Sequence, residues 1–379
     1  MKRIKWQRLT RRGVNFFLEL LEQYATGLRN GDFEKSHKIK FSFTAYRQLD
    51  GGRWFDKHEI KKFESVLTDY LEHKPQLLLQ LAQEYERRCL ALKKYVVEAR
   101  ATDFTNASST VLLRLYEKYF QLASHRWVFG YTYIYLNNVV SDRLGQLAQR
   151  YAEKSGKAAN EIIEAFTRPE KMFGLTSLKV KLQKLRAKHI PVASRNIALH
   201  KLQQEFGYLG YYGWRGRPLQ LGDIRKMLRQ SSLRPKLTRL RLKPDEKLLV
   251  QTVKMWTYTS SLSDELWGYG RHFLEPLWRE IAARLQVSVN DVGNLLRQEM
   301  RYSLVTSKAS HQLRVALRAR SKECSFEYVR GTTRIVTGKK HSALKRQALK
   351  KEGSFRLGKV IQQVMGQIAS PGLVRGKVQ

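Results

Sequence analysis

Apolar residues recur at helical spacing through most of the chain, and this rhythm limits what it can fold into. Leu77, Leu78, Leu81, Tyr85, Cys89, Leu92, Tyr95 and Val96 form one uninterrupted stripe along a single long helix. Pro75 suits the first turn of that helix, where its missing N–H would have had no partner. Shorter stripes repeat the pattern. One is Val14, Phe17, Leu18, Leu21, Tyr24 and Leu28; another is Phe63, Val66, Leu67, Tyr70 and Leu71. Val111, Leu112, Leu115, Tyr119 and Leu122 make a third, and Val139, Leu144, Leu147 and Tyr151 a fourth that ends at Gly156. Asp56 with Glu59 resembles a capping box, and Ser108 or Ser109 can cap the third of these helices. Only eight prolines interrupt the chain, which favours long helices over a many-turned β architecture.

The predicted fold class is therefore mainly α: a multi-helix array with a small β-hairpin near the C-terminus. In the hairpin Cys324, Phe326 and Tyr328 alternate with Ser325, Glu327 and Val329, Arg330–Gly331 turns the chain, and Thr332–Val336 returns. "KFSFTAYRQL" (Lys40–Leu49) is a brief strand or a loop anchored by Phe41 and Phe43, and Asp50–Gly52 breaks the chain after it. The lead "MKRIKWQRLTRRGVNFFLELLEQ" reads as a basic amphipathic helix. It is not a signal peptide, because Glu19 and Glu22 interrupt its apolar part and no small-residue cleavage site follows. Ser263 is a candidate N-cap with Asp264 and Glu265 in its first turn. Gly268, Gly270 and Pro276 predict a kink or two shorter helices thereafter. Ser288–Asp291 is a second capping box, for a short helix reaching Met300, and Lys339–Lys351 is a short, very basic helix.

These shifts divide the chain into an N-terminal helical region (1–105) and a central helical region with a glycine–aromatic loop (106–230). A helical linker region (245–323), a hairpin with a basic helix (324–365) and a glycine-punctuated terminal segment (366–379) follow. Between them "SSLRPKLTRLRLKPDEKL" reads as an exposed basic linker.

The net charge is +38, and residues 301–379 hold 18 Lys/Arg against 3 Asp/Glu. Such a surface attracts polyanions, nucleic acid among them, without specifying a sequence. Two distant cysteines, Cys89 and Cys324, make a disulfide framework a poor fit and a reducing, cytoplasmic setting the better one. No stretch approaches the ~20 apolar residues of a membrane span; the nearest, Trp127–Val140, is short and broken by Asn137 and Asn138.

The search for chemistry yields no catalytic, cofactor-binding or metal-ligating residue. There is no phosphate loop: "GLVRGK" (Gly372–Lys377) is one residue short and lacks the hydroxyl. "GWRGRP" (Gly213–Pro218), with Arg215 and Arg217, fits a structural turn better than an anion cradle. His125 and His200 lie in apolar helical settings and read as core histidines; His272, beside Arg271, is a poor general base. Asp223, Asp264 and Glu265 read as helix caps. The aromatic rings of Tyr208–Trp214 fit core packing better than base stacking.

The C-terminal half resembles a known family. Residues from about Leu248 onward look like the region of PEP-utilising enzymes (the PEP synthase, or pyruvate, water dikinase, group) that precedes the mobile phosphohistidine domain. "GYGRHFLEPLWREIAARLQVSVNDVGNLLRQEM" (Gly268–Met300) resembles the helix, turn and acid-capped helix of that region, and "RSKECSFEYVRGTTRIVTGKK" (Arg320–Lys340) the strand pair after it. "GQIASPGLVRGKV" (Gly366–Val378) resembles the family's opening of the swivelling domain. "RPEKMFGLTSLKVKLQKL" and "LHKLQQEFGYLGYYGW" are similar, more loosely, to helical segments upstream. The resemblance implies a central helical linker ending at the start of the mobile domain, in a family that uses ATP and Mg²⁺ for phosphoryl transfer. The family's histidine, its ATP-grasp carboxylates and its PEP-binding barrel find no counterpart in this sequence. The resemblance therefore implies a non-catalytic scaffold that binds no cofactor itself and works with separate or downstream swivelling and ATP-grasp domains. The reading that competes with it, from charge, is a basic helical nucleic-acid-binding protein.

Overall fold

The chain alternates a few short strands with many helices in the computed structural model, which describes residues 4–11, 18–49, 52–187, 191–212, 215–230 and 240–352. Strand β1 (Trp6–Arg11) is followed by α1 (Leu18–Arg29) and α2 (Asp32–His37). A hairpin of β2 (Ala45–Leu49) and β3 (Gly52–Asp56) leads into α3 (Lys57–His73) and α4 (Pro75–Ala99). The helices α5 (Ser109–Trp127), α6 (Gly130–Ser155), α7 (Ala159–Thr167), α8 (Gly174–Ala187) and α9 (Val192–Phe206) come next. A 3₁₀ turn (Gly207–Gly210) and the two-residue strands β4 (Tyr211–Tyr212) and β5 (Arg215–Gly216) precede α10 (Leu221–Gln230). Then follow α11 (Pro244–Phe273), α12 (Glu275–Leu285), α13 (Val289–Val292), α14 (Arg297–Val305) and α15 (His311–Lys322). The hairpin β6 (Cys324–Val329) and β7 (Thr332–Thr337) ends in α16 (Gly338–Glu352). The fold is mainly α, as the periodicity predicts.

Local signals explain most boundaries. The Asp56 carboxylate accepts the His58 N–H at 2.9 Å and starts α3. Glu59 does not close the capping box; its carboxylate takes the Thr44 N–H at 2.9 Å instead. Pro75 opens α4, Ser108 caps α5, and Gly156, at φ 64°, ends α6. Ser288 and Asp291 form the reciprocal box at α13, although the helix there stops at Val292 and α14 begins anew at Arg297. Arg330 and Gly331 both adopt positive φ, as a tight two-residue hairpin turn requires.

Two expectations need correction. The N-terminal lead is not one helix: Trp6–Arg11 is a strand, and the helix begins at Leu18. Its pairing partner β3 supplies the reason, since β1 hydrogen-bonds antiparallel to it with a bulge between Arg8 and Thr10. Val14 and Phe17 of the predicted stripe lie outside the described residues, as does the segment Gly366–Gln379. The second correction concerns Ser263, which caps nothing. It lies inside α11, which runs unbroken from Pro244 to Phe273, past Gly268 and Gly270; the break comes at Leu274.

The sheet is five-stranded and antiparallel, in the order β1-β3-β2-β6-β7. Thus the hairpin near the N-terminus and the one at Cys324–Thr337 lie edge to edge, with Tyr46 opposite Tyr328. The inner face carries Tyr46, Phe55, Phe326 and Tyr328, which join the main core with Tyr24, Trp127 and Tyr131. On the outer face Leu49 and Trp54 pack under Ala348 of α16. That face also buries Glu327, set between Arg47 of β2, at 2.5 Å, and Arg334 of β7. These three are directly opposite one another in the register, so the ion pairs help fix it. The main core extends from Leu18 to Tyr328. A smaller, separate core joins α8, α9 and α10 through Leu178, Leu182, Leu199, Leu202, Phe206 and Ile224.

Candidate functional site

Titratable groups and aromatic rings gather where the α8–α9–α10 lobe docks on α11. At its centre Glu265, from the middle of α11, reaches the start of α8. One carboxylate oxygen accepts the Gly174 N–H and the other the Leu175 N–H, each at 2.7 Å. The first amides of a helix have no partner within it, and a carboxylate also complements the positive end of the helix dipole. Burial pushes the Glu265 carboxyl up to about 7; the two amides and Lys93 pull it down, and Asp264 pushes it further up. Glu265 is therefore a helix cap, as its residue type predicts, but for a helix ninety residues away in the chain. Asp264 is exposed within α11.

The glycine–aromatic loop forms the rest of the junction. Tyr208 is buried, its ring 5.1 Å from Tyr269 and 6.0 Å from Phe273. Gly268 permits this approach: a methyl group there would overlap the Tyr208 carbonyl oxygen. Gly270 does the same for the Tyr119 ring. The guanidinium of Arg271 lies over Tyr211 at 5.3 Å and pairs with Glu275, while Arg100 covers Phe273 at 5.1 Å. His272 is half-buried between Tyr211 and Phe273. Burial, then Arg271 and Arg100, lowers its pKa and favours neutral imidazole. Core packing thus accounts for Tyr208, as expected. Gly213 and Trp214 lie outside the described residues. Arg217 is held by Asp223 at 2.7 Å, and Asp223 also accepts the Gln220 N–H at 2.8 Å, so this turn is braced from within.

Chemically, the junction has little to offer a substrate. Both oxygens of Glu265 are engaged by main-chain amides, Arg271 by a carboxylate and His272 by rings. Three other buried ionisable groups, His37, Arg126 and Glu19, are engaged within the fold as well. His37 Nδ1 is 3.0 Å from the Phe33 carbonyl and Nε2 is 2.6 Å from Thr132 Oγ1, and burial lowers its pKa to about 3. With its ring N–H donated to that carbonyl, the other nitrogen accepts the threonine hydroxyl. Arg126, fully buried, donates to the Ser263 carbonyl and hydroxyl and stacks 4.0 Å from the Trp267 ring centre. Glu19, raised to about 8 by burial, accepts a hydrogen bond from Gln23.

The expectation that His125 and His200 are core histidines needs correction. His125 and His200 are exposed, whereas His37 and His341 are buried. A helix with apolar neighbours still has a wet side, and position on that circumference decides. Cys89 is buried and Cys324 half-buried, and neither is in a disulfide. Among the described residues no group of three or more His, Cys, Asp or Glu could hold a metal ion, and no helix is long and apolar enough to cross a membrane. The chain matches no family model, no curated protein and no solved structure.

Proposed function

We propose that this chain is the helical scaffold and linker portion of a PEP synthase-like phosphotransfer protein, with the phosphoryl chemistry carried by swivelling and ATP-grasp domains outside it. One observation carries the reading. Gly268–Met300 holds the end of α11, then α12, the acid-capped α13 and the start of α14, and Arg320–Lys340 holds the β6–β7 pair; these are elements of the kinds the resemblance names, a helix, a turn, an acid-capped helix and a strand pair. The internal engagement of Glu265, His37, Arg126 and His272 supports the non-catalytic half of the reading, because each is occupied by a neighbour within the fold. Phosphoryl transfer depends on positioned cations and metal ions, which the partner domains would supply.

Sedimentation of the chain mixed with a phosphohistidine swivelling domain of this family tests the proposal. A stoichiometric complex is the expected result. Independent sedimentation of the two at concentrations well above those of a transient contact would overturn it.

A further inference from the structure

We propose that the α9–α10 face of the three-helix lobe binds the phosphodiester backbone of nucleic acid. This goes beyond the scaffold reading and does not depend on it. The described residues from Gly174 to Gln230 contain 11 Lys/Arg and 2 Asp/Glu. Both acids are already engaged, Glu205 by Lys181 at 2.5 Å and Asp223 by Arg217 at 2.7 Å. Several arginines elsewhere share a carboxylate: Arg87 and Arg88 share Glu84, Arg297 and Arg301 share Glu117, and Arg279 and Arg271 share Glu275. In the lobe, Arg225 and Arg229 of α10, Lys201 of α9 and Lys184 of α8 are exposed and form no ion pair among the described residues, while Lys226 of α10 is exposed with Asp223 one turn away.

Their placement is directional. Arg225 and Arg229 are one turn apart on one face of α10, where like charges repel. Arg225 donates to the Asn196 side-chain oxygen at 3.2 Å, which sets that cationic face alongside α9. The lobe carries this repulsion on a small core of its own, and a polyanion would relieve it. Guanidinium forks match phosphate oxygens, and the half-buried Asn196 amide holds one of them in place. An anionic membrane fits less well. Val192 and Ile197 are the exposed large aliphatics of α9, and Asn196, His200 and Gln204 surround them with polar groups, so the helix lacks a continuous apolar face to insert. The buried Tyr208 is not available to stack on bases, so binding through the backbone, without sequence preference, is the mode this face supports.

The test is fluorescence anisotropy of the full chain with short labelled single-stranded RNA and with a labelled DNA duplex, over a range of salt. Phosphatidylglycerol vesicles form a third arm. Tight binding to RNA or duplex is expected, and the stronger arm identifies the source. The triple variant Arg225→Gln/Lys226→Gln/Arg229→Gln should reduce the slope of log affinity against log salt by roughly 2 to 3 and weaken binding at least about tenfold at ~50 mM salt. The variant Lys184→Gln/Lys201→Gln should act in the same direction, by about 2 in slope or less, if the triple variant fails to fold by circular dichroism. Removing equal charge from α16, with Lys339→Gln/Lys340→Gln/Arg346→Gln, should leave the slope nearly unchanged. The proposal is overturned if neither nucleic acid binds at ~50 mM salt, where phosphate contacts dominate. Equal losses in the α10 and α16 variants, or binding to vesicles alone, overturn it too.

Discussion

Glu265 shows how a single residue can join two parts of the fold and make their union sensitive to pH. Its carboxyl is raised to about 7 from an ordinary value of 4.5. The folded state therefore holds this proton where the unfolded chain has released it. The stabilisation is fully present below the ordinary value and is lost as pH rises through the folded one, a swing of roughly 3 kcal/mol at most. His37 works in the opposite sense: its depressed pKa gives stability that is present above 6.5 and lost as pH falls toward about 3. The two effects overlap in the wild type, so a difference measurement is needed. Glu265→Gln should flatten the Glu265 contribution, so that the variant gains stability relative to wild type as pH rises from about 4.5 to 7.5, by up to roughly 3 kcal/mol. Denaturant midpoints at several pH values read this directly. A wild-type minus variant difference constant with pH would contradict the account. The sequence marks Glu265 as a cap from residue type alone. It could not show which helix is capped, because the partner amides belong to Gly174 and Leu175.

Among the elements, α11 separates what periodicity can reveal from what it cannot. The stripes of α3, α4 and α5 are read correctly because each buries one face, and its apolar residues repeat at the helical period. In α11 the glycines suggest a break, yet the helix continues. Gly268 and Gly270 are there for the space they leave, not for backbone freedom, and only the folded neighbours reveal that need. The contrast gives a paired prediction. Gly145→Ala, inside α6 with open space where its Cβ would lie, should stabilise the protein by about 0.5–1 kcal/mol through helix propensity. Gly268→Ala should lose more than that same gain, about 1–3 kcal/mol net, because its methyl meets the Tyr208 carbonyl. Equilibrium denaturation of both variants decides the matter; equal stabilisation of the two would refute the packing role.

The whole molecule is joined in a way that local patterns cannot express. Strand β1 reads as the lead of a basic amphipathic helix, and its strand character comes from β3 beside it. Likewise each hairpin has its own turn signal, but the pairing of β2 with β6 spans most of the chain length. Charge, by contrast, is legible in the sequence as a total, while which cations are held by carboxylates appears only in the folded structure. The most direct measurement is phosphorus NMR of the isolated chain with ATP, Mg²⁺ and pyruvate. The scaffold account predicts that AMP, phosphate and phosphoenolpyruvate do not rise above the protein-free blank. Sustained turnover by the purified chain would contradict it.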